Sequence, residues 1–416
     1  MLPVTIQAGI HAMRTHFRPL PMCVALAALL PAVADAAVLN NVLLQWRDHA
    51  VKCEDPLQPD IEAMTHVAMF EAINAITPKY APYAQKIDAP AGSSVDAAAA
   101  SAAHDVLQAL CPDQSAVYKS ALEAALGSVE DTAARDAGAE VGRKAAAAVI
   151  AARADSGAAR EDEMFAPESA GAYAPTVPRV GTAVAIMRPW VMRSPDELRP
   201  AAPPSLDSAV WARDYQEILR MGGKKSKDRR PEQTDIGKFW AGRDVRIVLP
   251  QLVSRPGRTL VDDARFLALA EMAWADSYVS MMDGKYAYLF WRPVTAIRHL
   301  VDDGNPDTTA DPAWEPLVGT TPPHPEYPCG HCLSAGAVGA VIEAEFGAAA
   351  PSIVLQDKEA LLRRFDSPRD YIDDVSESRL LAGVHYRFSV DAGRDAGIAL
   401  GKLAALRQLR PLDASD

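Results

Sequence analysis

Between residues 93 and 154 the chain is dense in alanine at three- and four-residue apolar spacing, a pattern that closely packed helices bury well. Interruptions at Cys111-Pro112-Asp113 and at Gly127-Ser128 divide this stretch into three helices, with Asp113 or Ser115 as the expected N-cap of the second. Just upstream, PDIEAMTHVAMFEAINAI repeats the pattern: Ile61, Met64, Val67, Ala68, Phe70 and Ile73 recur at helical steps. Hydrophobic residues make up 49% of the chain but aromatics only 6%, which suits helix packing better than sheets. Helical spacing returns at about 261–282, 330–346, 356–366 and 375–408, and only VRIVLPQLV offers a β-like run. The expected fold is therefore mainly α, in two helical bundles. The first, with a Pro- and Gly-rich connection over 155–204, occupies residues 37–205, and the second occupies 206–416.

The extreme N-terminus is a separate matter. Arg14 and Arg18 precede the apolar run PLPMCVALAALLPAVADA, which ends in Ala34-Asp35-Ala36. A basic start, a short apolar stretch and an Ala-x-Ala site predict a signal peptide over 1–36 and a secreted or periplasmic mature protein. After cleavage no segment approaches the length needed to span a bilayer, so stable membrane insertion is not expected. The mature chain keeps Cys53, Cys111, Cys329 and Cys332, an even number that permits Cys53–Cys111 and Cys329–Cys332 bridges without proving either. A formal charge of −12 argues against nucleic acid as a partner, so any bound anion must be held by a local cluster of cations. The basic run at 222–231 reads as solvated surface. Self-association into a homo-oligomer is left open.

Three segments carry residues whose chemistry belongs together. GKYAYLFWRPVTAIR holds Lys285 and, after six residues, Arg292-Pro293; TPPHPEYPCGH ends in Gly330-His331 where a helix is expected to begin; SRLLAGVHYRFSVDAG holds Arg379, Gly383 and His385. Singly, each reads more simply as a solvated charge or a satisfied histidine. Arg379 and His385 are six residues apart, which places them on no common helical face. CGHC by itself suggests disulfide exchange, but a Pro-rich loop precedes it where a redox fold has a strand.

In joint order and spacing the three segments resemble the signature of the vanadium-dependent haloperoxidase and type 2 phosphatidic-acid phosphatase superfamily. FWRPVTAIR and TPPHPEYP are similar to its soluble, secreted haloperoxidase branch, and the likeness extends upstream through RRPEQTDIGKFW. The resemblance implies an oxyanion site in the C-terminal bundle, with Lys285, Arg292, Cys329, Gly330 and Arg379 holding a vanadate cofactor. His385 would be the axial ligand to vanadium and His331 the acid–base. The activity implied is oxidation of halide by hydrogen peroxide, with His324, just before the Pro-Glu-Tyr-Pro run, favouring bromide or iodide. The same residues would serve an acid phosphatase acting on a phosphate ester through a phosphohistidine, or a degenerate homologue that only binds phosphate or vanadate.

Physical chemistry supports such a set. A buried tetrahedral oxyanion needs neutralising charge and hydrogen bonds. Two guanidinium groups supply forked donors, a lysine supplies a point charge, and a glycine at a helix start lets backbone N–H groups approach. Two departures from the family pattern stand out. Cys329 takes the place of a serine hydroxyl, and a thiol is a weak donor. Ser389 takes the place of an aspartate four residues after the axial histidine, so orientation of His385 falls to Ser389 or to a carboxylate such as Asp373 or Asp374.

Overall fold

The computed structural model describes residues 41–53, 59–157, 169–174, 181–299, 303–348, 350–357 and 361–412; the expected signal segment 1–36 lies outside the described residues. An N-terminal group comprises α1 (Val42–Lys52), α2 (Asp60–Ile76), α3 (Val95–Leu110), α4 (Ser115–Gly127) and α5 (Thr132–Arg153). A second group comprises α6 (Ala209–Met221), α7 (Pro231–Phe239), α8 (Leu260–Tyr288), α9 (Pro293–Arg298), α10 (Gly330–Phe346), α11 (Pro368–Leu381) and α12 (Arg387–Arg407). The fold is mainly α, as the periodicity predicts. The described parts of the connection, 169–174 and 181–208, carry no α-helix.

Small residues explain how the helices come so close. On α5, a Cβ added at Gly142 would lie 2.2 Å from the Ala98 carbonyl oxygen of α3. On α12, a Cβ at Gly397 would lie 2.1 Å from the Leu333 carbonyl oxygen of α10. Neither pair of backbones could meet if these positions carried side chains. Helix α8 is the spine: its 29 residues are buried almost all round, and it packs against α2 on one side and α10 on the other. Among the described residues no helix is long and apolar enough to cross a membrane.

A buried ion network joins the two groups. The Arg246 guanidinium meets Glu62 of α2 and Glu271 of α8, each at 2.7 Å, and Asp244 at 2.6 Å. Its flat face lies 3.4 Å from the Trp274 ring. Burial and the Glu271 carboxylate raise the Glu62 carboxyl to about 8, so Arg246 holds more acid than it can neutralise. Arg246→Met would leave these carboxyls buried without their cation. Urea denaturation should show a loss of about 3–5 kcal/mol; a loss below about 1 kcal/mol would mean that the network is not held by that charge.

Four local expectations are corrected. VRIVLPQLV is a 3₁₀ segment, Val245–Leu252, not a strand: Asp244 caps the Arg246 amide, Pro250 lacks a ladder donor, and burial does not alternate along it. Residues 356–366, expected helical, contribute instead to an antiparallel hairpin of β1 (Ile353–Gln356) and β2 (Leu362–Phe365), in register Ile353↔Phe365. Alternate burial of Ile353 and Leu355 shows why the strand wins there. Helix α4 is capped by neither Asp113 nor Ser115 but by Gln114, which makes no side-chain cap bond and follows a 3₁₀ turn at Pro112–Gln114. Finally, 375–408 is not continuous. Gly383, at φ +81°, ends α11 in a turn where a Cβ would lie 2.4 Å from the Gly222 carbonyl oxygen. The His385 turn exists because of that break.

Candidate active site

Each expected site residue sits at a helix end or in a turn, and the fold brings them together. Lys285 lies in the last turn of α8, Arg292 caps α9, and Gly330 and His331 open α10. Arg379 lies in the last turn of α11, and His385 occupies the turn before α12. Lys285, Arg292, Gly330, Arg379 and His385 are buried, while His324 and His331 are half-buried.

Arg292 is braced on every side. Its Nε donates to the His324 carbonyl at 3.0 Å, Nη1 to the Val384 carbonyl at 3.0 Å, and Nη2 to His324 Nδ1 at 3.0 Å. His324 therefore presents an acceptor at Nδ1 and orients the guanidinium. Arg379 is much less satisfied. Its one hydrogen bond among the described residues is a long one, 3.4 Å from Nη1 to the Trp240 carbonyl, and its buried Nε has no partner among them. Neither guanidinium forms an ion pair with a carboxylate among the described residues. Burial pushes both down to about 10, with the Arg292 charge adding to the effect on Arg379.

Lys285 supplies charge rather than a free donor. Its Nζ donates to the carbonyls of Pro325, Glu326 and Pro328 at 2.7–2.9 Å, which takes up all three ammonium hydrogens. Burial and then Arg292 push its proton affinity well below the usual lysine range. The three acceptors nevertheless call for the charged form.

His385 reveals a residue that sequence reasoning missed. Its Nδ1 lies 2.7 Å from Glu326 Oε1, and the same oxygen accepts the Tyr386 amide at 3.2 Å. On the other side, Nε2 lies 3.3 Å from Arg292 Nη1, an obligatory donor. Both neighbours point to one tautomer, with the hydrogen on Nδ1 and a lone pair on Nε2. Burial, then Arg292 and Lys285, push the imidazole well below its usual range, so it is neutral. Burial raises the Glu326 carboxyl to about 7 against the pull of Arg292 and Lys285.

The orienting residue for His385 is thus Glu326, not Asp373 or Asp374. Asp373 is exposed and pairs with Arg369 at 3.2 Å, and Asp374 accepts from Trp240 Nε1 at 2.7 Å and pairs with Arg363. Ser389 is fully buried, and its hydroxyl has no hydrogen-bond partner among the described residues, so it does not orient the histidine. The sequence signal was available only as an acid inside HPEYP, 59 residues from its partner.

His331 is pushed down to about 3, by burial first and then by Arg379. The Arg379 charge also depresses Lys285 and His385, so these groups share one electrostatic site. Cys329 corrects the sequence reading. It is bridged to Cys332, so its sulfur has no hydrogen to donate to an anion; it serves as the N-cap of α10. Cys53 and Cys111 are bridged as well.

The amides of Gly330 and His331, at the start of a 17-residue helix, have no acceptor among the described residues. With the unpartnered Arg379 Nε and a cationic pair lacking a carboxylate, they form donors without an anion. A tetrahedral oxyanion such as vanadate or phosphate fits that donor set.

The family model of the VCPO second helical-bundle domain matches residues 265–413. The vanadium chloroperoxidase of Curvularia inaequalis is 27% identical over 269 residues, which are 47% of this chain and 44% of that protein. The chain therefore matches less than half the length of that relative. Among solved structures, a bacterial vanadium-dependent iodoperoxidase aligns with TM-score 0.73 at 21% identity, covering 92% of this chain and 97% of that one. A bacterial vanadium-dependent chloroperoxidase in its holo form aligns with TM-score 0.62 at 16% identity, covering 90% and 93%. At such identities the structural likeness speaks for the fold.

Proposed function

The chain belongs to the vanadium haloperoxidase superfamily, and on that premise we propose that it is a vanadate-dependent haloperoxidase that oxidises bromide or iodide with hydrogen peroxide. The observation that carries this reading is the pair of buried guanidinium groups with no carboxylate partner among the described residues, set beside a histidine whose Nε2 lone pair meets the long 3.3 Å contact from Arg292 Nη1. Vanadate held there would supply an electrophilic centre that activates peroxide towards halide.

The chain's own residues have separable tasks in this reading. Arg292 and Arg379 donate to the oxyanion, and Lys285 adds charge from behind the 325–328 loop. The Gly330 and His331 amides add donors along the helix dipole. Glu326 holds the Nδ1 hydrogen of His385 and so keeps Nε2 available as a ligand. His331 is neutral because of burial first and the Arg379 charge second; an anion that offsets Arg379 raises its basicity, so that it can take up and return a proton. The basic and apolar N-terminal segment, together with two disulfides, supports an exported protein.

The same Nε2 lone pair would serve as a phosphatase nucleophile, which keeps the phosphate-ester reading as the alternative. Purified protein incubated with orthovanadate, peroxide and bromide should brominate a phenolic dye, with no phosphate released from a generic ester. Ester hydrolysis inhibited by vanadate, without halide oxidation, would replace the proposal with the phosphatase. Phosphate binding with neither activity would identify a binding-only homologue.

A further inference from the structure

The first turn of α10 is closed by a covalent ring, and what the ring encloses is the part of the site expected to touch the anion. Cys329 and Cys332 are bonded to each other, with Gly330 and His331 between them. Within that turn Cys329 takes up two of the early amides: its Sγ accepts from Cys332 N at 3.3 Å and its carbonyl accepts from Leu333 N at 3.1 Å. The amides of Gly330 and His331 remain without an acceptor among the described residues. The ring thus separates the helix-start donors into two that are used internally and two that are available.

The ring is also fastened to the elements that carry the other site residues. Cys329 N donates to the Ser389 carbonyl at 3.2 Å, and a Cβ at Gly393 would lie 2.4 Å from the Cys329 carbonyl oxygen, so α12 lies directly against it. Both sulfurs are fully buried among Leu380, Leu381 and Val390, the first of which follows Arg379 in the chain. On the remaining side, a Cβ at Gly330 would lie 2.0 Å from Met281 Sδ of α8. Few backbone arrangements satisfy the bond, the α12 contact and the Met281 contact together.

We infer that the Cys329–Cys332 bridge is a positioning element for the oxyanion site, holding the His331 imidazole and the two free amides in place, so that oxyanion affinity depends on the oxidation state of this pair. The inference rests on the reading of His331 and the helix start as part of that site. Opening the bond takes two electrons and two protons from a dithiol, which becomes a disulfide. Closing it returns them to an oxidant; hydrogen peroxide, reduced to two waters, balances the step.

The test compares three forms of the full mature chain: oxidised wild type, wild type treated with dithiothreitol with its thiols counted by alkylation and mass spectrometry, and Cys332→Ala. Orthovanadate affinity is read by calorimetry, the His331 titration by NMR, and thermal stability separately. Opening the ring should weaken orthovanadate binding about tenfold, in line with the usual effect of losing a residue that orients a ligand. It should also shift the His331 titration in both altered forms. If reduction cannot be achieved in the folded state, Cys332→Ala decides alone. A merely structural bridge would lower the melting temperature and leave affinity and the His331 titration unchanged, which overturns the inference. If oxidised wild type binds no orthovanadate at all, the functional reading itself fails, an outcome distinct from equal binding by all three forms.

Discussion

Replacing Arg379 by methionine is expected to weaken orthovanadate and phosphate binding by a factor of about 100 to 1,000, while leaving the ligand-free protein as stable as before or more so. Both effects have one cause. The Arg379 guanidinium is buried, has no carboxylate partner among the described residues, and makes a single long bond to the Trp240 carbonyl. Its pKa is pushed down to about 10, by burial and by Arg292. A charge in that position destabilises the empty fold, and replacement by an apolar side chain of similar length relieves the cost. An oxyanion reverses the balance: loss of this buried charge-assisted contact costs about 3–4 kcal/mol, which gives the expected change in affinity. Calorimetry and thermal unfolding, with and without phosphate, check the two halves. Wild type should gain stability from phosphate and the variant should gain almost none. A variant that binds as tightly as wild type removes Arg379 from the site.

The separation of stability from function at Arg379 shows what kind of information the sequence carried. Positions that answer to periodicity were legible. Ile61, Met64, Val67, Phe70 and Ile73 are all buried as that spacing predicts, although the helix carries every residue from Asp60 to Asn74 into the interior with them. The same reasoning misplaced VRIVLPQLV and 356–366. Short apolar runs carry too few periods to separate a strand from a 3₁₀ turn, and the outcome depends on a side-chain cap at Asp244 and on pairing with Ile353.

The site divides along the same line. The spacing of Lys285 and Arg292, and their order with Gly330-His331 and Arg379–His385, pointed to one cradle through a resemblance, and the fold brings those residues together. Periodicity could not have done so, because His385 stands in a turn created by Gly383 rather than on a helical face. Partnerships across the fold were not legible. Nothing local says that Lys285 fastens the 325–328 loop, that His324 braces Arg292, or that the acid facing His385 comes from that loop rather than from α11 or α12. Long-range contacts of this kind are set by how helices α8, α10 and α12 pack, which a single sequence encodes only collectively.

Glu326→Gln isolates the part that sequence reasoning missed, and it is expected to weaken orthovanadate binding by up to about 100-fold without unfolding the protein. Glutamine keeps the size and an acceptor oxygen for His385 Nδ1 and the Tyr386 amide, so the imidazole stays in place and only the charge behind it is lost. Without that charge the Nε2 lone pair is a poorer ligand, and Arg292 and Lys285 lose the carboxylate that supports their charged forms. The pH dependence provides a separate check. Burial raises the folded-state pKa of Glu326 from 4.5 to about 7. Between those values the folded protein holds a proton that the unfolded chain has released. The stability contributed by this residue is therefore fully present below about pH 4.5 and declines as the pH rises through 7. Orthovanadate binding uses the charged form that holds the Nδ1 hydrogen of His385, so wild-type affinity should rise as the pH rises through 7. In Glu326→Gln both slopes should flatten, and the difference from wild type in the same buffers removes the titration of the oxyanion itself. A variant with unchanged affinity and an unchanged pH profile would mean that the 2.7 Å contact only packs the His385 ring and does not tune it.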